Sequence, residues 1–205
     1  MSESIDVLDA VRVYYEGRLQ EFGAIAQGVD WNSAESQMRR FEELVPADAL
    51  GPMASILDYG CGYGALLPYL RDRGWSGLYC GYDVAPSMTA AARELHHDVA
   101  EFIDEMPNRS FERTVASGLF NVRLDFSDDV WHSYITTALD TMWEVTSGAM
   151  AFNMLTSHSD AERRRHDLYY GDPGRYLNHC LARFSRNARL HHGYGLYEFT
   201  IEVHR

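Results

Sequence analysis

Residues 56 to 64 read Ile56-Leu57-Asp58-Tyr59-Gly60-Cys61-Gly62-Tyr63-Gly64, and a second hydrophobic run ends on Gly81-Tyr82-Asp83. Alternating glycines lack Cβ atoms, which lets a backbone turn sharply and lets a ligand come close to it. A carboxylate at the end of the following strand can accept both hydroxyls of a ribose. In open α/β sheets ligands sit beyond the carboxyl ends of the strands, and both signals fall there. The pair specifies a site for a nucleotide-type ligand.

The loop can be scored as Gly60-x-Gly62-x-x-Ala65, the dinucleotide fingerprint. Two details oppose that reading. Asp58 lies two residues before the first glycine, where a buried acid repels a pyrophosphate and suits a cationic group such as an amine or a sulfonium. In addition, about fifty residues precede the first strand, whereas dinucleotide domains often begin nearly on it. The acid-x-Gly-x-Gly-x-Gly loop followed by an acid ending the second strand resembles the class I S-adenosylmethionine-dependent methyltransferases. A finer likeness, to the small stand-alone bacterial type, rests on Val115-Ala-Ser-Gly-Leu-Phe-Asn121, Leu168-Tyr-Tyr-Gly-Asp-Pro173 and Tyr194-Gly-Leu-Tyr-Glu-Phe-Thr200.

The resemblance spans about Ala54 to Val203 and implies S-adenosylmethionine as cofactor and S-adenosylhomocysteine as product. It places Asp58, Gly60, Gly62 and Gly64 around the methionine end and Asp83 on the ribose. Val84 and Met88 would sandwich the adenine, and Asp104, with Asp98 competing, would contact the adenine amine. Ser117, Gly118 and Phe120 would border the methyl donor. The function expected is methyl transfer to an oxygen or nitrogen of a small molecule. An NAD(P)-dependent oxidoreductase and a non-catalytic S-adenosylmethionine-binding protein are the alternatives.

The elements that must position these residues follow from periodicity. Strands are expected at Met53 to Leu57, Leu78 to Tyr82, Glu101 to Ile103, Arg113 to Ser117 and Ala149 to Leu155, with helices over Leu66 to Arg73, Ser87 to Leu95, Asp128 to Val145 and Asp172 to Phe184. Ala188 to His191 and Tyr194 to Val203 read as a closing hairpin, the second strand alternating as Tyr197, Phe199, Ile201 and Val203. Strands alternating with helices and ending in a hairpin predict an α/β fold, a mostly parallel sheet with an antiparallel edge. With the resemblance, the expectation is a Rossmann-like seven-stranded sheet with helices on both faces and a C-terminal antiparallel hairpin.

Residues 1–50 are expected to form an N-terminal helical lid, over Asp6 to Phe22 and Ser33 to Leu44, ahead of a Rossmann-like unit at 51–205, all within one structural domain. Tyr14, Tyr15, Gln37 and Arg40 on those helices would close over the cofactor, Arg40 or Gln37 reaching its carboxylate; packing of the aromatics into the core is the alternative.

No nucleophile motif is visible. His158 and His166 flank the segment after the fifth strand and His132 follows the fourth, so each is a candidate general base at the ligand end of the sheet, His158 first among them. No histidine pair has metal-ligand spacing, and Cys61, Cys80 and Cys180 are isolated, so no metal is expected. The 205 residues carry a formal net charge of -12, which disfavours a nucleic-acid partner. The Arg163-Arg164-Arg165 run reads as a solvated turn. All 18 basic residues are arginine, so lysine chemistry is excluded. With no apolar run of membrane length and no signal peptide, a cytoplasmic monomer or homodimer with no membrane partner is expected. Substrate contacts are expected from Asn121 to Trp131 and Thr156 to Tyr170, since loops beyond strand ends carry specificity.

Overall fold

The computed structural model describes residues 2–30, 33–97 and 99–205, with residues 2–6 and 34 described as backbone only. Two helices, α1 (Ser2–Phe22) and α2 (Ala34–Leu44), precede β1 (Ile56–Tyr59), α3 (Leu66–Asp72), β2 (Tyr79–Tyr82), α4 (Pro86–His96), β3 (Glu101–Ile103) and β4 (Phe111–Ala116). Then come α5 (Asp128–Glu144), β5 (Thr146–Leu155), α6 (Pro173–Arg183), β6 (Ala188–His192) and β7 (Glu198–His204). The strands form one sheet in the order β3-β2-β1-β4-β5-β7-β6. The first five are parallel, and β7 inserts antiparallel between β5 and β6.

Local chemistry starts the helices where the sequence marks them. The Ser33 hydroxyl accepts from the Ser36 N–H at 3.1 Å, Ser127 caps α5 ahead of Asp128 and Asp129, and Asp172 accepts from the Arg175 N–H at 2.6 Å with Pro173 at the first helical position. Alternate residues of the central strands then face two cores. Val7, Val11, Trp131, Ile135 and Tyr176 from α1, α5 and α6 cover one face, against Ala116, Phe152 and Ile201. Phe41, Leu44, Leu66 and Leu70 from α2 and α3 cover the other, against Ile56, Val115 and Ala151.

Most strand boundaries move by one to three residues from expectation; β7 moves further and for a clear reason. It starts at Glu198 rather than Tyr194, because Gly193 (φ 88°) and Gly195 (φ 85°) turn the preceding backbone through the left-handed region. The alternation of Tyr197, Phe199, Ile201 and Val203 also describes only half of the strand. β7 is buried on both faces, so Glu198, Thr200 and Glu202 are interior as well. Glu202 pairs with the buried Arg113 at 2.8 Å, whose guanidinium also donates to the Leu44 carbonyl. None of the described helices is long and apolar enough to cross a membrane.

Candidate active site

The sheet order reverses between β1 and β4, which opens a crevice at their carboxyl ends. Gly60, Gly62 and Gly64 all have positive φ (79°, 54° and 79°). At Gly62 a Cβ would stand 2.9 Å from Val29 Cγ1, so the loop runs directly beneath the short 3-10 turn Ala26–Val29 that follows α1. Asp83, just past β2, ties the loop down: one carboxylate oxygen accepts from the Gly62 N–H at 2.8 Å and the other from the Ala85 N–H at 2.9 Å.

A first cavity fills this crevice, and Gly60, Gly62, Asp58, Asp83, Val84, Met88, Gln37, Ser117 and Gly118 border it, whereas Gly64 does not: a Cβ there would meet Phe102 and His96 instead. Asp58 lies on β1 and is 3% exposed. Burial pushes its carboxyl up to about 7, the Tyr79 hydroxyl at 2.6 Å pulls it down, and the charge of Asp83 adds to the rise. Burial likewise pushes Asp83 up to about 6, against the lowering effect of the Ala85 and Gly62 N–H groups. Two desolvated carboxyls on one wall favour a ligand that brings positive charge to one and hydroxyl donors to the other. Ser117 Oγ, on the same wall, is buried without a hydrogen-bond partner among the described residues. Gln37 reaches the loop by accepting from the Tyr63 hydroxyl at 3.2 Å.

A second cavity of about 550 Å³ adjoins the first over the ends of β4, β5 and β7. Tyr15, Val29 and Gly118 line both and mark the junction. The loops after β4 and β5 are zipped together at its side by a Val122–Leu168 bridge and by the Tyr169 N–H donating to the Asn121 carbonyl at 2.8 Å. Asn121, Val122, Ser159, Leu168 and Tyr170 thereby reach its wall. Trp131, at the end of the first expected contact segment, is instead a core residue whose indole N–H donates to the Phe120 carbonyl.

Several expected site residues stand elsewhere. Arg40 does not border the first cavity; its guanidinium is buried against Glu198, with Nε 2.8 and 2.9 Å from the two carboxylate oxygens, at the wall of the second. Asp104 is exposed beyond β3 and borders neither cavity, while Asp98 lies outside the described residues. His158 is exposed, with its ring 6.0 Å from that of His192, and His166 is exposed on the loop after β5. His132 packs between α5 and α6, its Nδ1 3.0 Å from the Tyr176 hydroxyl. None of the three histidines borders either cavity. Arg163 and Arg165 are exposed, as expected of a solvated run, yet both border the second cavity, and Arg165 pairs with Asp167.

Sequence reasoning missed Glu198, Asn153, Asp30 and Tyr134. Glu198 is fully buried and accepts from Asn153 Nδ2 at 2.7 Å, and Asn153 Oδ1 accepts from the Gly118 N–H at 2.7 Å. A continuous hydrogen-bonded path therefore runs from Arg40 on α2 to Gly118 at the junction. The signal available was Asn153, a single polar residue in the apolar run from Ala149 to Leu155; Glu198 stands in the alternating Glu-Phe-Thr-Ile-Glu-Val pattern and carried none.

A family model described as a methyltransferase domain matches residues 31–188. A Mycobacterium tuberculosis protein, itself carrying a provisional methyltransferase name, is 46% identical over 154 residues, covering 74% of this chain and 93% of the relative. The fold is similar to that of magnesium protoporphyrin IX methyltransferase from Synechocystis PCC 6803 with bound S-adenosylmethionine (TM-score 0.66, 12% identity, 100% of this chain and 98% of that one). It is also similar to that of 1,6-didemethyltoxoflavin-N1-methyltransferase from Burkholderia thailandensis with bound 1,6-didemethyltoxoflavin and S-adenosylhomocysteine (TM-score 0.64, 17% identity, 96% and 88% covered).

Proposed function

This chain belongs to the methyltransferase domain family, and on that premise we propose that it transfers a methyl group from S-adenosylmethionine to an oxygen or nitrogen of a small molecule. The observation that carries the reading is the meeting of two cavities at Tyr15, Val29 and Gly118, the first walled by Asp58 and Asp83 and the second by the loops after β4 and β5. The residues of the first cavity fit the cofactor. Asp58 offers a desolvated carboxylate to a positive charge, and Asp83 keeps a free lone pair on each oxygen for ribose hydroxyls. Val84 and Met88 supply apolar contact for a base, and Gln37 and Ser117 supply polar atoms. Bound there, S-adenosylmethionine supplies an activated methyl group, so that the protein's task is mainly alignment and exclusion of water.

The N-terminal segment performs that exclusion as the lid: Tyr15 and Val29 stand over the junction, and α2 brings Gln37 to the cofactor side and Arg40 to the acceptor side. Gly118, held by Asn153, presents backbone without a side chain where the cavities meet. A neutral amine acceptor needs no base. For a hydroxyl, the carboxylate bordering the second cavity besides Glu198, which is held by Arg40 and Asn153, is Asp30, next to Val29 and paired with Arg18 at 3.1 Å. The net charge of -12 supports a small acceptor over a nucleic acid.

Calorimetry with S-adenosylmethionine and with NAD tests the cofactor, and S-adenosylhomocysteine release with a panel of small hydroxyl and amine acceptors tests the reaction. Binding of the first alone, followed by turnover, is the expected result. Binding of NAD alone, or an undiminished S-adenosylmethionine affinity in Asp83→Ala, would overturn the reading.

A further inference from the structure

The second cavity continues beyond its own walls. Ser36, Gly195 and Leu196 line it and also line a third space of about 510 Å³, which lies between α2 and the β6–β7 turn and is bounded further by Met38, Arg39 and Tyr194. The two spaces are nearly equal in size. A cavity of roughly 300–1,000 Å³ is enough for a drug-sized ligand, so the second alone accommodates a ring-bearing head and the third offers as much room again. At Gly195 a Cβ would meet nothing within 4 Å, so the turn keeps the passage clear.

The linings of the two spaces differ. The inner one mixes Tyr170, Leu168 and Val122 with the polar Asn121 and Ser159, and its charged residues Arg40, Glu198, Asp30, Arg163 and Arg165 are each paired within the protein, which suits a neutral ring carrying a polar edge. In the outer one Met38 is 37% exposed on a helix whose larger apolar residues Phe41 and Leu44 are buried. The outer arginine already has partners: Arg39 lies 2.9 Å from Glu42 and 3.4 Å from Glu43, and its Nε donates to the Tyr194 carbonyl at 3.2 Å. Glu35 and Glu42 border the space as well, so its surplus charge is acidic and disfavours an anionic occupant.

Resting on the methyl-transfer reading above, we propose that the acceptor is an elongated molecule. Its ring-bearing polar head sits at the Tyr15–Val29–Gly118 junction, and its uncharged alkyl or acyl tail passes between Ser36 and Leu196 into the groove beside α2. The outer groove is thus a specificity subsite, separate from the cofactor cavity, that selects tailed acceptors over their heads alone.

Two neutral probes, 4-hydroxybenzamide and N-octyl-4-hydroxybenzamide, test this by calorimetry on the protein loaded with S-adenosylhomocysteine. The octyl probe is expected to bind at least thirtyfold more tightly than the head. Ser36→Trp, which narrows the passage while keeping the backbone N–H that Ser33 caps, and Met38→Glu, which places a charge in the outer groove alone, are expected to reduce that gain to within threefold. Met38→Glu should retain both S-adenosylhomocysteine affinity and head affinity, and Ser36→Trp should retain S-adenosylhomocysteine affinity. A gain below threefold in the unaltered protein, failure of both probes to bind, or a full gain in Ser36→Trp overturns the proposal while leaving methyl transfer standing. Failure to bind S-adenosylhomocysteine at all removes the reading beneath it, and the proposal falls with it.

Discussion

Replacing Asp58 with asparagine removes a charge that the fold holds at a cost while keeping a carbonyl oxygen for the Tyr79 hydroxyl. The carboxyl is pushed by burial from 3.8 to about 7, so the folded chain binds that proton more tightly than the unfolded chain. Stability must therefore fall as pH rises from about 4 to about 7 and level off above, because the unfolded state binds fewer protons throughout that window. The gap corresponds to ~4 kcal/mol once the group is fully ionised. Asp83, raised to about 6, adds ~3 kcal/mol of the same sign over the lower part of the window. Urea unfolding of the cofactor-free protein at pH 5 and pH 8.5 should show a loss of several kcal/mol. Asp58→Asn should remove about two-thirds of it and leave the variant more stable than the parent at pH 8.5.

The same charge carries the binding argument. A cation beside Asp58 favours its ionised form, so below about pH 7 uptake of S-adenosylmethionine must release a proton, and affinity must weaken as pH falls. Titrations at pH 6.5 in buffers of different ionisation enthalpy measure that proton directly. Asp58→Asn should abolish the release and weaken S-adenosylmethionine binding at pH 8 by about ten- to a hundredfold, as expected for loss of a charge-assisted contact of ~1.5–3 kcal/mol. An unchanged pH slope of stability, together with proton release persisting in the variant, would refute a desolvated, cation-facing Asp58.

Other outcomes follow from the same geometry. Gly62→Ala places a Cβ 2.9 Å from Val29 at a φ of 54°, so it should cost ~1 kcal/mol or more of stability and weaken cofactor binding at least tenfold, as read by thermal shift and calorimetry. Arg40→Met strands the fully buried Glu198 and should cost ~3–5 kcal/mol in urea unfolding; Arg40→Met with Glu198→Leu should recover most of that loss, and a double variant as unstable as the sum of its singles would contradict a coupled pair. His132→Ala, His158→Ala and His166→Ala should each leave the turnover rate within threefold, because none borders either cavity; a hundredfold loss in any one would show that the reacting groups lie elsewhere.

What could be seen in the sequence and what could not divide along the range of the interactions. Gly60, Gly62 and Gly64 act through backbone geometry within five residues, and the bond from Gly62 to Asp83 spans one strand, helix and strand, so residue type at fixed spacing announces them. Helix starts at Ser33, Ser127 and Asp172 are similarly local. The wall of the second cavity is built otherwise. Gly118 meets Asn153 across 35 positions, Asn153 meets Glu198 across 45, and Arg40 meets Glu198 across 158. Arg40 was legible as a buried-capable cation on a lid helix, and its expected partner was a carboxylate. The partner present is one the chain itself supplies, hidden because β7 reads as half-exposed when its other face is in fact covered. An arginine satisfied at 2.8 Å by an internal carboxylate is a poor receptor for a ligand's carboxylate. Its role is then to join α2 to the strand ends, so that the helix carrying Gln37 to the first cavity also fixes the wall of the second.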